Sequence, residues 1–277
     1  MPKYIYRYKY LSDGKGVRSV ISERKIRFTH PQNFNDPFDC APFCEARFGR
    51  KLEDIHSKVR EVLQLDGLPP DEVAARIESA EESMAESFTS GRFLKELLNG
   101  AAVLSLSKIP DSILMWSHYG RNHTGAIVEF KIDISNKAFE VESSHDDLIC
   151  LDVTYSKERP VITFDGSPSR SLDVLDNLLL TKAGEWAYEQ ESRVVKSTGG
   201  AGDFNFKTEL LSSIILGARN ESATELRGLA EQAGKDLDRV IPVYQAELCK
   251  RNYVIEIPGF HYRIDAGRIQ SANPGCK

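Results

Sequence analysis

From residue 102 onward the chain carries its apolar residues in short runs: Ala102–Leu106, Gly125–Lys131, Ile149–Tyr155, Glu191–Lys196, Ser213–Leu216 and Val240–Glu247. Each is four to eight residues long, the length of a strand rather than of an ordinary helix. Runs this short cannot bury themselves and must pair with one another. The N-terminal segment adds a period of two: Tyr4, Tyr6, Tyr8 and Tyr10 share one strand face, with Ile5, Arg7 and Lys9 on the other. A helical stretch through Val17–Ser22 and a strand at Lys25–Thr29 are expected next. Between the later strands the pattern predicts helices at Asp111–Tyr119, ended by Gly120, at Ser171–Ala187 and at Ser222–Ala233. A last hairpin should pair Tyr253–Glu256 with His261–Ile264 across Pro258-Gly259.

Residues 51–99 read differently. Leu52, Ile55, Val59 and Val62 recur at helical spacing. Pro69-Pro70-Asp71 interrupts them and starts a second helix bearing Val73, Ile77, Met84 and Phe88. A third, Phe93–Leu98, stops at Asn99-Gly100. The expected fold class is therefore α+β: a mostly antiparallel β-sheet core with flanking helices and a helical insertion. The 277 residues read as one domain over 1–265, with the insertion at 51–99 and a flexible tail at 266–277.

Charge narrows the function classes. Lys and Arg total 36 against 41 Asp and Glu, a net charge of −5, which argues against a protein held to nucleic acid mainly by a basic surface. No apolar run is long enough to span a bilayer, so no membrane partner is expected. Cys40, Cys44, Cys150, Cys249 and Cys276 are odd in number and scattered, and read as free thiols of a cytoplasmic protein. Cys40 and Cys44 lack a second pair at zinc-finger spacing, and the histidines do not cluster, so no metal is expected. The phosphate-binding, hydrolase and zincin motifs are also absent.

Four constellations stand out. Tyr8-Lys9-Tyr10 sets a cation beside aromatic faces, either as an ordinary edge strand with a snorkelling lysine or as a site for phosphate or ribose. Phe34-Asn35-Asp36-Pro37-Phe38-Asp39 has the composition of an anchored Asx-turn, with Asn35, Asp36 and Asp39 as candidate cleft residues. Ser105-Leu106-Ser107 precedes Met115-Trp116-Ser117-His118-Tyr119-Gly120, where Trp116, His118 and Tyr119 are either core or a site wall. In Glu189-Gln190-Glu191-Ser192-Arg193, an extended chain puts Glu189, Glu191 and Arg193 on one face, whereas a helix end would make Glu189 and Arg193 an ordinary pair. Two carboxylates and a guanidinium on one strand face are costly to bury without purpose.

Taken together these segments resemble a bacterial family known as a domain of unknown function, numbered twenty-nine seventy-one. The resemblance runs through Tyr8-Lys9-Tyr10, Phe34–Asp39, Ser107, Met115–Gly120, His123, Gly125, Phe130, Val153-Thr154-Tyr155, Lys182, Trp186 and Glu189–Arg193. That family in turn is distantly similar to ADP-ribosyltransferases, which carry a His or Arg on an early strand, Ser or Tyr on a later segment and a Glu-x-Glu near the end of a split antiparallel sheet. Here Lys9 takes the first position, Ser107 or Tyr119 the middle one and Glu189-Gln190-Glu191 the last.

The resemblance implies NAD as substrate, for transfer or glycohydrolysis. Glu191, Glu189 and Tyr119 would be catalytic; Lys9, Tyr10, Ser107, Trp116 and Arg193 would bind the dinucleotide; Asn35, Asp36, Asp39 and His118 would complete the cleft. It also implies a toxin or phage-defence effector with a protein or nucleic-acid acceptor and a cognate immunity or regulatory protein. Two other readings stand beside it. Asp36, Asp39, Glu189 and Glu191 would serve a metal-dependent nuclease, and a non-catalytic sensor or antitoxin-like module would use 51–99 as its interaction surface.

Overall fold

The computed structural model describes residues 4–12, 14–46, 57–58, 60–62, 67–134, 146–164, 177–196 and 198–262. Leu52, Ile55 and Val59 of the insertion, the Ile264 end of the expected hairpin and the tail at 266–277 lie outside the described residues. The strands are β1 (Tyr4–Leu11), β2 (Lys25–Phe28), β3 (Phe43–Ala46), β4 (Ala102–Ser107), β5 (Ala126–Asp133), β6 (Leu151–Asp152), β7 (Thr154–Ser156) and β8 (Val161–Phe164). They continue with β9 (Thr181–Ala183), β10 (Glu191–Lys196), β11 (Gly202–Asn205), β12 (Leu211–Leu216), β13 (Val243–Gln245), β14 (Glu247–Leu248) and β15 (Ile255–Glu256). The helices are α1 (Gly14–Arg18), α2 (Pro70–Thr89), α3 (Arg92–Leu97), α4 (Ile113–His118) and α5 (Ala223–Asp236).

Seven strands make the central sheet in the order β13-β12-β5-β1-β4-β10-β6, antiparallel except for β12 beside β13. The class is α+β, as the short runs predict. Both faces are covered. Ile5, Leu104, Leu106, Val128, Phe130 and Val194 form one core with Leu226 and Ala230 of α5. Tyr8, Tyr10, Ile127 and Ile215 form another with Met115 and Trp116 of α4. A sheet buried on both sides explains why β1 has no clean inside–outside alternation: Arg7, Tyr8 and Tyr10 are all buried. Among the described residues no helix is long and apolar enough to cross a membrane.

The sheet is split. β1 pairs with β5 along its whole length, but meets β4 at one register position, Tyr8 opposite Ser107. β4 in turn pairs fully with β10, from Glu191 opposite Ser107 to Lys196 opposite Ala102. On the Lys9–Tyr10 side of the Tyr8–Ser107 pair, β1 and β4 part.

Several expectations are corrected. The helix over Ser171–Ala187 gives way at its end to β9 and a 3-10 turn, Gly184–Glu189. There the Thr154 N–H donates to Leu180 O at 2.7 Å and β7 pairs with β9, so tertiary pairing overrides local helix preference. The Ile149–Tyr155 strand divides at Val153, because β6 joins β10 while β7 joins β9. Val240–Glu247 shortens to β13 and β14, and β15 pairs with the upstream β14. Cys249 is disulfide-bonded, which corrects the expectation of five free thiols, whereas Cys40 and Cys44 are free; scattered spacing gives no handle on which sulfurs meet.

Two glycines fix how tightly the loops cross the end of the sheet. A Cβ on Gly125 would lie 2.1 Å from Leu11 O, and one on Gly217 2.2 Å from His123 O. Both neighbours are backbone and cannot rotate away. Gly125→Ala is expected to cost about 1–3 kcal/mol, read as a lower urea midpoint at unchanged slope. An unchanged midpoint would mean that the loop yields freely.

Candidate functional site

A cleft of about 460 Å³ lies where β1 and β4 separate. That is within the range of small-molecule sites. Its lining includes Tyr8, Lys9 and Tyr10 of β1, Ser105 and Ser107 of β4, Asn35 and Asp39 of the loop after β2, His118 and Tyr119 at the end of α4, and Lys182, Glu189 and Glu191.

The carboxylates are gathered by an unusual turn. The 3-10 turn ends at Glu189, and Gln190 takes a left-handed conformation (φ 43°) before β10 begins at Glu191. Of the two alternatives for 189–193, the extended chain holds from Glu191 onward, while Glu189 closes the 3-10 turn. Glu189 and Glu191 instead flank a reversal, and both side chains converge on the Lys182 ammonium. Its Nζ lies 2.5 Å from Glu189 Oε2, 3.2 Å from Glu191 Oε2 and 3.5 Å from Asp39 Oδ2.

Arg193 holds the network from below. It is 0% exposed. Its Nε donates to Glu191 Oε1 at 2.8 Å, Nη2 donates to Asp39 Oδ2 at 2.6 Å and to Glu191 Oε2 at 3.1 Å, and Nη1 donates to Leu179 O at 2.7 Å. The guanidinium also sits 5.2 Å from the Phe34 ring centre. Burial alone would raise the Glu191 pKa, but Arg193 and Lys182 bring it down to about 2. Glu189 goes the other way: burial raises it, and Lys182 and Tyr119 only partly offset that. Tyr119 Oη donates to Glu189 Oε1 at 2.6 Å and accepts from Asn35 Nδ2 at 3.3 Å.

Lys9 projects from the face of β1 opposite Tyr8 and Tyr10, and its amine donates to Ser105 O at 3.0 Å, inside the opening. Burial lowers its pKa to about 8, against the pull of Glu191. Ser107 lines the cleft, but its hydroxyl is committed to Glu189 O at 2.7 Å. Tyr10 packs against Trp116 and donates to Ile109 O. Ser105 supplies the hydroxyl that hydrogen-bonds Glu191.

Most of the residues picked from the sequence thus meet in one place, and three do not. Trp116 is fully buried beneath the cleft, with its indole N–H on Pro110 O, and offers no stacking face. Asp36 is a turn residue whose Oδ1 accepts from the Phe38 N–H. Arg193 is too deep to touch a ligand and acts through Glu191 and Asp39. Lys182 and Ser105 join the lining without being expected there. Lys182 falls within the predicted helix, where a lysine is an ordinary surface charge, and its place in the family pattern is its one signal.

Residues 115–194 match the model of a family described as "Protein of unknown function (DUF2971)". Over this stretch the chain is similar to that family. It is the family that the motif order predicts, and the segment contains Tyr119, Lys182, Glu189, Glu191 and Arg193 but not Lys9 or Asp39. No curated protein and no solved structure matches the chain significantly.

Proposed function

We propose that the protein is an ADP-ribosyltransferase-like enzyme that uses NAD as substrate. One observation carries this reading. Where the sheet splits, three adjacent strands bring a cation (Lys9), a hydroxyl (Ser105) and a carboxylate held ionised (Glu191) to the same cleft. Breaking the nicotinamide–ribose bond sends the bonding electron pair to the ring nitrogen and leaves positive charge at the ribose C1′. A pre-ionised carboxylate is suited to face that charge. The acceptor then bonds to C1′ and gives up its proton, and Glu189 is the nearby carboxyl able to receive it. Lys9 is suited to a phosphate or ribose oxygen.

The nuclease reading fits the donor set less well. Asp36 is spent on its turn, and Asp39, Glu189 and Glu191 already share Lys182 and Arg193, with which a divalent ion would compete. Among the described residues no group of three or more His, Cys, Asp or Glu is arranged to hold a metal.

The direct test is nicotinamide release from NAD, alone and with bacterial extract supplying protein and nucleic-acid acceptors. Release is expected; none under either condition would overturn the reading. Lys9 adds a pH signature. Its charge is lost above about pH 8, so affinity for ADP-ribose, measured by calorimetry, should fall about tenfold between pH 7 and pH 9. Lys9→Gln should bind weakly and without that slope. An unchanged slope in the variant would remove Lys9 from the binding site.

A further inference from the structure

The cleft holds two glutamates but one shared cation. Lys182 is 6% exposed and reaches both carboxylates, at Glu189 Oε2 and Glu191 Oε2, while Asp39 draws on the same ammonium at 3.5 Å. Glu191 has a second cation, with Arg193 bonded to both its oxygens. Among the described residues Glu189 has none: its other oxygen accepts from the Tyr119 hydroxyl, and Tyr119 is the half-buried residue that Asn35 links to the cleft wall. The two carboxyls therefore differ in what fixes them. Glu191 is pinned by an arginine fork, and Glu189 depends on Lys182.

We propose that Lys182 is a positioning residue that divides the work of the two glutamates, with Asp39 as its counterweight, so that Glu191 stays a fixed charge while Glu189 exchanges a proton with an acceptor through the cleft mouth. The acceptor half of this rests on the NAD reading; the division between the glutamates does not. Pairs of ionisable groups whose surroundings drive their protonation apart are the usual basis for such a division. Here the surroundings are explicit. Lys182 from β9, Tyr119 from the end of α4, Tyr188 beside it on the 3-10 turn, Tyr155 from β7 and Glu191 from β10 all act on Glu189. Asp39 and Arg193 act on it through their pairing with Lys182 and Glu191.

The sign can be tested in two directions. Lys182→Met removes the cation paired with Glu189, so its carboxyl should titrate at a higher pH, by about one unit or more. Asp39→Asn frees Lys182 from a competitor, so Glu189 should titrate lower. Carbon-13 detection of glutamate carboxyls in the full chain reads both shifts without any turnover, with Glu189→Gln assigning the signal. A Lys182→Arg variant should return the titration toward wild type if charge at this place is what matters. Where nicotinamide release is observed, the acid limb of its pH profile should move with the carboxyl, up in Lys182→Met and down in Asp39→Asn. Shifts in the same direction in both variants, or a pH-independent drop in rate, would overturn the proposal and leave Lys182 a purely structural ion pair. Absence of nicotinamide release with the opposed titrations intact would instead overturn the NAD reading and keep the division between the glutamates. If Lys182→Met does not fold, Asp39→Asn and Lys182→Arg carry the test.

Discussion

Arg193→Leu is expected to lower the unfolding free energy by about 3–5 kcal/mol, the loss found when one partner of a buried ion pair is removed. Leucine restores none of the four hydrogen bonds that the guanidinium donates to Glu191, Asp39 and Leu179. It leaves three carboxylates, Asp39, Glu189 and Glu191, each at most 6% exposed, sharing the Lys182 ammonium. In a chain of this size that is a melting temperature lower by roughly 10 °C. Arg193→Lys should recover little, because an ammonium cannot reproduce the fork that holds Glu191 by both oxygens. Thermal melts at neutral pH decide it. A fall of less than about 2 °C in the leucine variant would mean that the network is not what holds the β10 face in place.

Glu191→Gln is the second large effect and separates chemistry from folding. Glutamine keeps the shape and one acceptor for Arg193 but removes the fixed negative charge. Loss of one pre-organised electrostatic contact to a transition state costs about 10²–10³ in rate, and nicotinamide release should fall by that much. NAD affinity should change far less, because the charge develops only as the bond breaks. Circular dichroism and a melt keep the comparison fair, since some stability also goes with the ion pair. Equal rates in wild type and variant would exclude Glu191 from the reaction and favour the non-catalytic module.

How much of this could be read from the residues depends on whether the signal is local. The strands at Tyr4–Tyr10, Ala102–Leu106, Gly125–Lys131, Glu191–Lys196 and Ser213–Leu216 announce themselves through period and length, and each appears in the sheet. Lys9, Glu189, Glu191 and Tyr119 stand out because their types are costly or conspicuous where the pattern places them. What decides between neighbours is not local. Trp116 and Tyr119 lie on one helix end, yet Trp116 goes under the cleft and Tyr119 into its wall. Glu191 and Arg193 share one face of β10, yet only Glu191 lines the cleft; the arginine packs against the carboxylate from deeper in the core. Lys182 gains its meaning only when β7 pairs with β9, a contact between segments whose local patterns predict a strand and a helix. The reversal at Gln190 is likewise invisible, since glutamine carries no preference for a left-handed backbone.

The single register pair joining β1 to β4 has a mechanical consequence. Four strands hang together on one side of it and three on the other, each group with its own continuous ladder. Lys9 rides on one plate and Glu191 on the other, and side chains close the seam where the ladder stops: Lys9 Nζ donates to Ser105 O at 3.0 Å and Arg7 Nε to Ser192 Oγ at 2.8 Å. The spacing between the cation and the carboxylate is thereby set by side-chain bonds across the seam rather than by a backbone ladder.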